Sequence, residues 1–232
     1  MKRLMQCSLL GVSLMATVSA AVGKTVPREE MEVTVCVMNE AGIPGKVEEM
    51  VERRVDLLME RAAVHIRWLR GADPGKTAEV RCVCSHPDPM RVLILHWMKA
   101  GRQALPGELG QAFLGEDGQG AMADLFVEHM AGVAEERGVN FGQLLAHVTA
   151  HELGHLLLGA NSHSVSGLMQ ARMNEESLAR LARENAGFSA KQVERMHERK
   201  KAAEQSVTGW WRAAASCPGD GTRGRLVQAE AM

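Results

Sequence analysis

The chain has 232 residues, 46% of them hydrophobic and 24% charged, with a formal net charge of −1 at pH 7. That is enough chain for one domain with a sizeable core, and near-neutrality argues against a nucleic-acid partner, since a phosphate-binding surface shows as a basic excess. Tyrosine is absent, so no phenol can serve as a transition-state donor.

The first segment, "MKRLMQCSLLGVSLMATVSAAVGKT", sets Lys2 and Arg3 before an apolar stretch from Leu4 to Val18 and then small residues. This layout predicts a secretory signal peptide over residues 1–20, cut after Ala20. The stretch is short for a spanning helix, and nothing later reaches ~18 consecutive apolar residues, so no stable membrane anchor is expected after cleavage. Cys7 does not sit in a lipid-attachment context. The expected location is secreted or periplasmic. In such an oxidising compartment Cys36, Cys82, Cys84 and Cys217 read as disulfide partners. Cys82 and Cys84 are too close in sequence to bridge each other without strain. Either of them could pair with Cys36. A metal site at Cys82, Cys84 and His86 has no second ligand pair nearby and is the weaker reading.

Val and Thr alternation predicts a strand from Glu32 to Met38, closed by Gly42, Pro44 and Gly45. A helix from Lys46 to Ala62 follows, with Val47, Met50, Val51, Val55, Leu58 and Ala62 on one face. Glu48, Glu49, Glu52, Arg53 and Asp56 lie mostly on the other. "VHIRWL" (Val64–Leu69) is a second strand, and strand, helix and strand in so short a span suggest a right-handed parallel crossover. The apolar run Arg91–Trp97 suits a strand buried on both faces. Residues 101–120 are punctuated by glycine, and Ala121–Val127 gives a weak strand signal. A helix through "EHMAGVAEER" should stop at Gly138. The strongest helix runs from Phe141 to Leu158, ended by Gly159. Gly154 inside it costs ~1 kcal/mol relative to alanine, which points to close approach of another backbone. Two charged helices, "NEESLARLAREN" and "SAKQVERMHERKKAAEQ", follow, the second with a capping box at Ser189 and Gln192. Residues 206–232 read as a poorly ordered tail, with Trp210 and Trp211 packing back on the body. The organisation is therefore a signal peptide at 1–20, one domain over 31–205 and a tail. No internal repeat is visible.

Chemistry concentrates in "HELGHLLLGANSHSVSGLM", residues 151–169. Residues four apart on a helix share a face, so His151 and His155 aim their rings at one point about 6 Å apart. Two imidazole nitrogens at that spacing suit a zinc ion. Glu152 projects beside them, placed to accept a proton from a water whose pKa the metal lowers. A charged helix with surface histidines is the bland alternative, but the glycines, the further histidine and the Gly-Leu-Met that follow speak against it. The third metal ligand has two candidates. His163 lies four residues beyond Gly159, within reach of a local return through "GANSH", and is favoured. Glu175 in "NEES" is the alternative, although an acidic residue in a helix's first turn has a simpler explanation. His147, one turn before His151, reads as a supporting or surface residue rather than a ligand. His65, His86, His96, His129 and His197 read as structural or exposed. Arg172 could meet a substrate carboxylate, with a surface role as the commoner one.

These residues carry a family resemblance. "HELGHLLLG…H…SGLM" resembles the metzincin clan of zinc peptidases, with Met169 at the position of their structural Met-turn. It departs from the clan's His-Glu-x-x-His-x-x-Gly-x-x-His spacing, because Gly159 and His163 each come late and Asn161 stands where the third histidine would. More broadly, residues 31–200 are similar to a largely uncharacterised group of exported bacterial zinc metalloproteases. The resemblance implies an α+β, zincin-like single domain: a twisted mixed β-sheet, a backing helix, an active-site helix and a helical C-terminal part. It also implies an antiparallel edge strand lining the cleft, which would be Ala121–Val127. The function so implied is a metallopeptidase that holds Zn2+ through His151, His155 and His163, with Glu152 as general base and a peptide or protein as substrate. The rival is a secreted zinc-binding or interaction protein on the same fold without turnover, and zinc hydrolysis of a non-peptide amide is a third possibility.

Overall fold

A computed structural model of the chain describes residues 30–70, 90–99, 107–172 and 187–206. The expected signal peptide, Cys82, Cys84, His86, Cys217, the helix expected over 174–185 with Glu175, the two C-terminal tryptophans and the tail beyond 206 lie outside these residues. The element order is β1 (Met31–Asn39), α1 (Gly45–Glu60), β2 (Val64–Arg70), β3 (Val92–Met98), β4 (Gly110–Phe113), β5 (Met122–Phe126), α2 (Val127–Arg137), α3 (Phe141–Leu158) and α4 (Ala190–Ser206).

The five strands form one mixed sheet in the order β2-β1-β3-β5-β4. β1 pairs in parallel with β2 and with β3, and β3 in parallel with β5. β4 closes the edge antiparallel to β5. Strand alternation sorts the sheet's faces. Val33, Val35 and Val37 of β1, Leu93, Leu95 and Trp97 of β3, and Ala123 and Leu125 of β5 join one core with residues of all four helices. The opposite face carries a small cluster of Cys36, Leu69 and Ile94, with no helical residue in it among the described residues. Cys36 is disulfide-bonded.

Two expectations need correction. The segment expected at the edge, Ala121–Val127, does form a strand, but β5 lies inside the sheet between β3 and β4. The edge is β4, from the glycine-rich stretch, where four residues are too few to show a period. Glu52, expected on the solvent face of α1, is 5% exposed. Its carboxylate accepts two N–H groups of Arg70, one of them at 2.7 Å. A buried carboxylate without a partner costs several kcal/mol, and Arg70 at the end of β2 removes that penalty while tying helix to strand. Trp68 Nε1 likewise donates to Asp56 at 2.8 Å.

α3 runs through the middle of the helical layer and is buried along most of its length. Its start is capped by Asn140, whose side chain accepts from the Gln143 amide at 3.0 Å. α4 docks through Val193 and Met196. His197 donates to the Ala62 carbonyl at 2.8 Å and Lys200 to the Glu32 carbonyl at 3.2 Å. The capping box is present: Ser189 N donates to Gln192 Oε1 at 2.8 Å and Gln192 N to Ser189 Oγ at 3.3 Å. No helix among the described residues is long and apolar enough to cross a membrane.

Candidate metal centre and cleft

Helical geometry sets His151 and His155 side by side on α3, with ring centroids 4.7 Å apart. The chain then turns at Gly159, whose φ of 75° and ψ of −164° fall in a region that only glycine occupies readily. Asn161 also takes a left-handed φ of 55°. These two turns swing the return inward, so that the His163 ring lies 4.6 Å from that of His155 and 5.5 Å from that of His151. One nitrogen from each of the three histidines lies within 4.8 Å of the others.

The outer hydrogen bonds orient these rings. His151 Nδ1 lies 2.8 Å from the Leu168 carbonyl. A carbonyl only accepts, so Nδ1 carries the proton and Nε2 keeps its lone pair. His155 Nδ1 meets Ser162 Oγ at 2.6 Å, and its Nε2 faces His151 Nε2 at 3.0 Å. Burial, with neighbouring histidines adding to it, lowers the pKa of His155 to about 3. Burial lowers that of His151 as well, partly offset by its bond to Leu168. Neutral imidazoles converging on one point are a donor set for a cation. Three nitrogens at ~2.0–2.1 Å from a tetrahedral zinc stand roughly 3.3–3.5 Å apart, a spacing bracketed by the 3.0 Å and 4.8 Å seen here. The residues fit a divalent metal with nitrogen preference.

Beneath the histidines lies the turn of residues 164–170. Ser164 N donates to the Met169 carbonyl at 2.8 Å and Gln170 N to the Gly167 carbonyl at 3.4 Å. Met169 is fully buried. A Cβ on Gly154 would lie 2.5 Å from Met169 Sδ and 2.9 Å from the Phe188 ring. The glycine inside the motif therefore admits two side chains, not the backbone expected from the sequence.

Glu152 points to the edge strand. It is 5% exposed and accepts a hydrogen bond from the Ala112 amide. Its carboxyl packs so closely on Gly110 that a Cβ there would meet Glu152 Cγ at 2.9 Å. Burial first, then the charge of Glu108, raise its pKa to about 8, against the Ala112 bond. A cleft runs between α3 and β4 and includes Glu152, all three histidines, His147 and Arg172 in its lining. His147 is not a surface residue: it is 6% exposed, its Nδ1 has no hydrogen-bond partner among the described residues, and burial lowers its pKa to about 4. Arg172 is exposed at the rim.

Sequence reasoning missed Ser162, Gly110 and Ala112. Ser162 carries no motif, and its role follows only from the turn that brings it under His155. Gly110 and Ala112 belong to a strand too short to announce itself. Of the other histidines, His96 lies 3.1 Å from Asp124 and His65 lies 3.8 Å from Glu30. His129 donates to the Glu108 carbonyl at 2.9 Å. None of these three belongs to the three-histidine cluster.

No protein-family model matches the chain, and no curated protein does. Among solved structures it is similar to a zinc-dependent peptidase from Methanocorpusculum labreanum, at 15% identity and a TM-score of 0.47, over 70% of this chain and 99% of that one. It is also similar to archaemetzincin from Methanopyrus kandleri, at 16% identity and a TM-score of 0.46, over 76% of this chain and 99% of that one.

Proposed function

We propose that the chain is a zinc-dependent peptidase in which His151, His155 and His163 hold the metal and Glu152 is the general base. The observation that carries this reading is the convergence of three histidine nitrogens within 4.8 Å beside a buried carboxyl at the edge of an open cleft. A zinc ion bound there supplies Lewis acidity, which lowers the pKa of water and polarises a carbonyl. The chain's own groups do the rest. Leu168 and Ser162 fix the ring orientations of His151 and His155. Glu152, held by the Ala112 amide against Gly110, would be ionised by the charge of a neighbouring cation, which opposes the effect of burial, and would then take a proton from the attacking water and return it to the leaving amine. β4, at the sheet edge beside the cleft, is placed for an extended peptide to lie alongside it, with its Ala112 amide given to Glu152. With no tyrosine in the chain, no phenol donates to the developing oxyanion.

Export through residues 1–20 belongs to the same proposal. The basic-apolar-small layout of that segment supports it, as does the disulfide at Cys36, a bond that persists in oxidising compartments. The test of function pairs elemental analysis with peptidase assay. Purified chain should contain one zinc and cleave members of a broad peptide library, and a chelator should stop the cleavage. Zinc without cleavage would favour a binding protein without turnover. N-terminal sequencing of chain recovered outside the cytoplasm should begin at Ala21.

A further inference from the structure

Three side chains of α4 converge on the return that carries His163. Gln192 Nε2 donates to the Ser162 carbonyl at 3.1 Å. Arg195 Nη2 donates to the Ala160 carbonyl at 2.7 Å, and Arg199 Nε to the Leu157 carbonyl at 3.1 Å. Positions 192, 195 and 199 fall on one helical face, so they form one built row. Arg199 reaches further: its Nη2 donates to the Gly118 carbonyl at 3.0 Å, in the hairpin that joins β4 to β5.

We propose that α4 is a brace for the metal-binding return: Gln192, Arg195 and Arg199 hold residues 157–163 in the shape that delivers His163, and Arg199 locks that return to the β4–β5 hairpin. The inference rests on the three-histidine reading above and adds positioning residues to it. Each bond meets a need of the return. Leu157 lies in the last turn of α3, where carbonyls lack helical partners, and a cation there also meets the negative end of the helix dipole. Gly159 lies so close to the guanidinium that a Cβ would stand 2.6 Å from Arg199 Nη1 and 2.7 Å from the Gly118 carbonyl. The glycine is therefore required both by its φ and by the brace. Burial, with Arg195 close by, disfavours the charge on Arg199, against the pull of Asp117, so this guanidinium is held in the packed return and not simply solvated. The brace is itself anchored, because Val193 and Met196 are in the core and His197 and Lys200 bind the Ala62 and Glu32 carbonyls.

The consequence is a link between α4 and metal affinity. His163 sits on a short return with two left-handed residues, Gly159 and Asn161. If the return is released, the histidine is in place only part of the time. Apparent affinity then falls by the fraction of chains in the competent shape, and changes of this kind typically cost 10–100-fold.

The experiment titrates zinc against a competing chelator for wild type, Arg199→Met and Arg199→Lys, each also in a His163→Ala background. Amide exchange of residues 159–163 is followed in the same metal-free chains. Arg199→Met should bind zinc about 10–100-fold more weakly and exchange faster in the return. Arg199→Lys, which keeps the charge but not both bonds, should fall between. With His163 already removed, Arg199→Met should weaken binding no further. Unchanged zinc affinity and exchange in Arg199→Met would overturn the brace while leaving the metal site standing, as would a loss that persists undiminished without His163. Wild-type chain that binds no zinc would overturn the metal site and the brace together. Should Arg199→Met not fold, Gln192→Ala, which removes the bond to Ser162, enters the same cycle with a smaller loss expected.

Discussion

At the scale of single residues, the site depends on small groups in places where nothing larger fits. Gly154→Ala would press a methyl against Met169 Sδ and Phe188. Overpacking of this kind costs about 1–3 kcal/mol, so the variant should melt several degrees lower; an unchanged melting temperature would mean that Met169 is free to move. His147 invites the opposite change. Its buried Nδ1 has no partner among the described residues, and its pKa falls from 6.5 to about 4 on folding. In the metal-free chain, its contribution to stability is therefore complete above pH 6.5 and declines as the pH drops toward 4, because the unfolded chain takes up the proton first. The total is on the order of 3 kcal/mol. His147→Leu should raise stability at pH 5 and shallow the decline measured by denaturant titration between pH 6.5 and 4. A decline as steep as in wild type would mean that the buried imidazole is not what senses the acid. For the third ligand, His163→Ala should abolish tight zinc binding and Glu175→Ala should leave it intact, and the reverse pattern would move the site to the carboxylate.

Among elements, α3 and the return after it were the most legible. Histidines four apart, a helix-ending glycine at Gly159 and a histidine soon afterwards are local features, and they alone announce that the three rings can meet. The cleft's other wall was not. β4 has four residues, two of them unremarkable, and its identity as the edge strand follows from register against β5, a long-range fact. The family resemblance puts the edge at Ala121–Val127 instead, a weak strand signal whose neighbours on both sides are strands. The face of α4 was equally hidden: its sequence shows only a charged helix, and the partners of Arg195 and Arg199 lie 35, 42 and 81 positions away. Glu52 illustrates the same limit, since only the position of Arg70 makes its burial tolerable. The edge strand carries its own test. Gly110→Ala should displace the Glu152 carboxyl and lower peptide turnover at least tenfold, within the ~10²–10⁴-fold that general-base catalysis contributes, while zinc content stays at one. Full turnover in that variant would show that Glu152 does not need its seat on β4.

For the whole molecule, the metal should act as a staple between the central helix and the return that follows it. His151 and His155 belong to the central helix, and His163 to a return held by α4, so a cation joining them links helix, return and brace. A ligand that binds only the folded state at a hundred times its dissociation constant adds about 2.7 kcal/mol, a rise in melting temperature of roughly 5–10 °C for a domain of this size. Chelator should reverse the shift. The central claim, that Glu152 beside this three-histidine centre performs peptide hydrolysis, is tested most directly by one comparison. Zinc-loaded wild type and zinc-loaded Glu152→Gln, matched in metal content, are assayed on the same cleavable peptide. The account predicts chelator-sensitive cleavage by wild type and a loss of about 10²–10⁴-fold in Glu152→Gln with zinc still bound. Equal cleavage by the two proteins would contradict it.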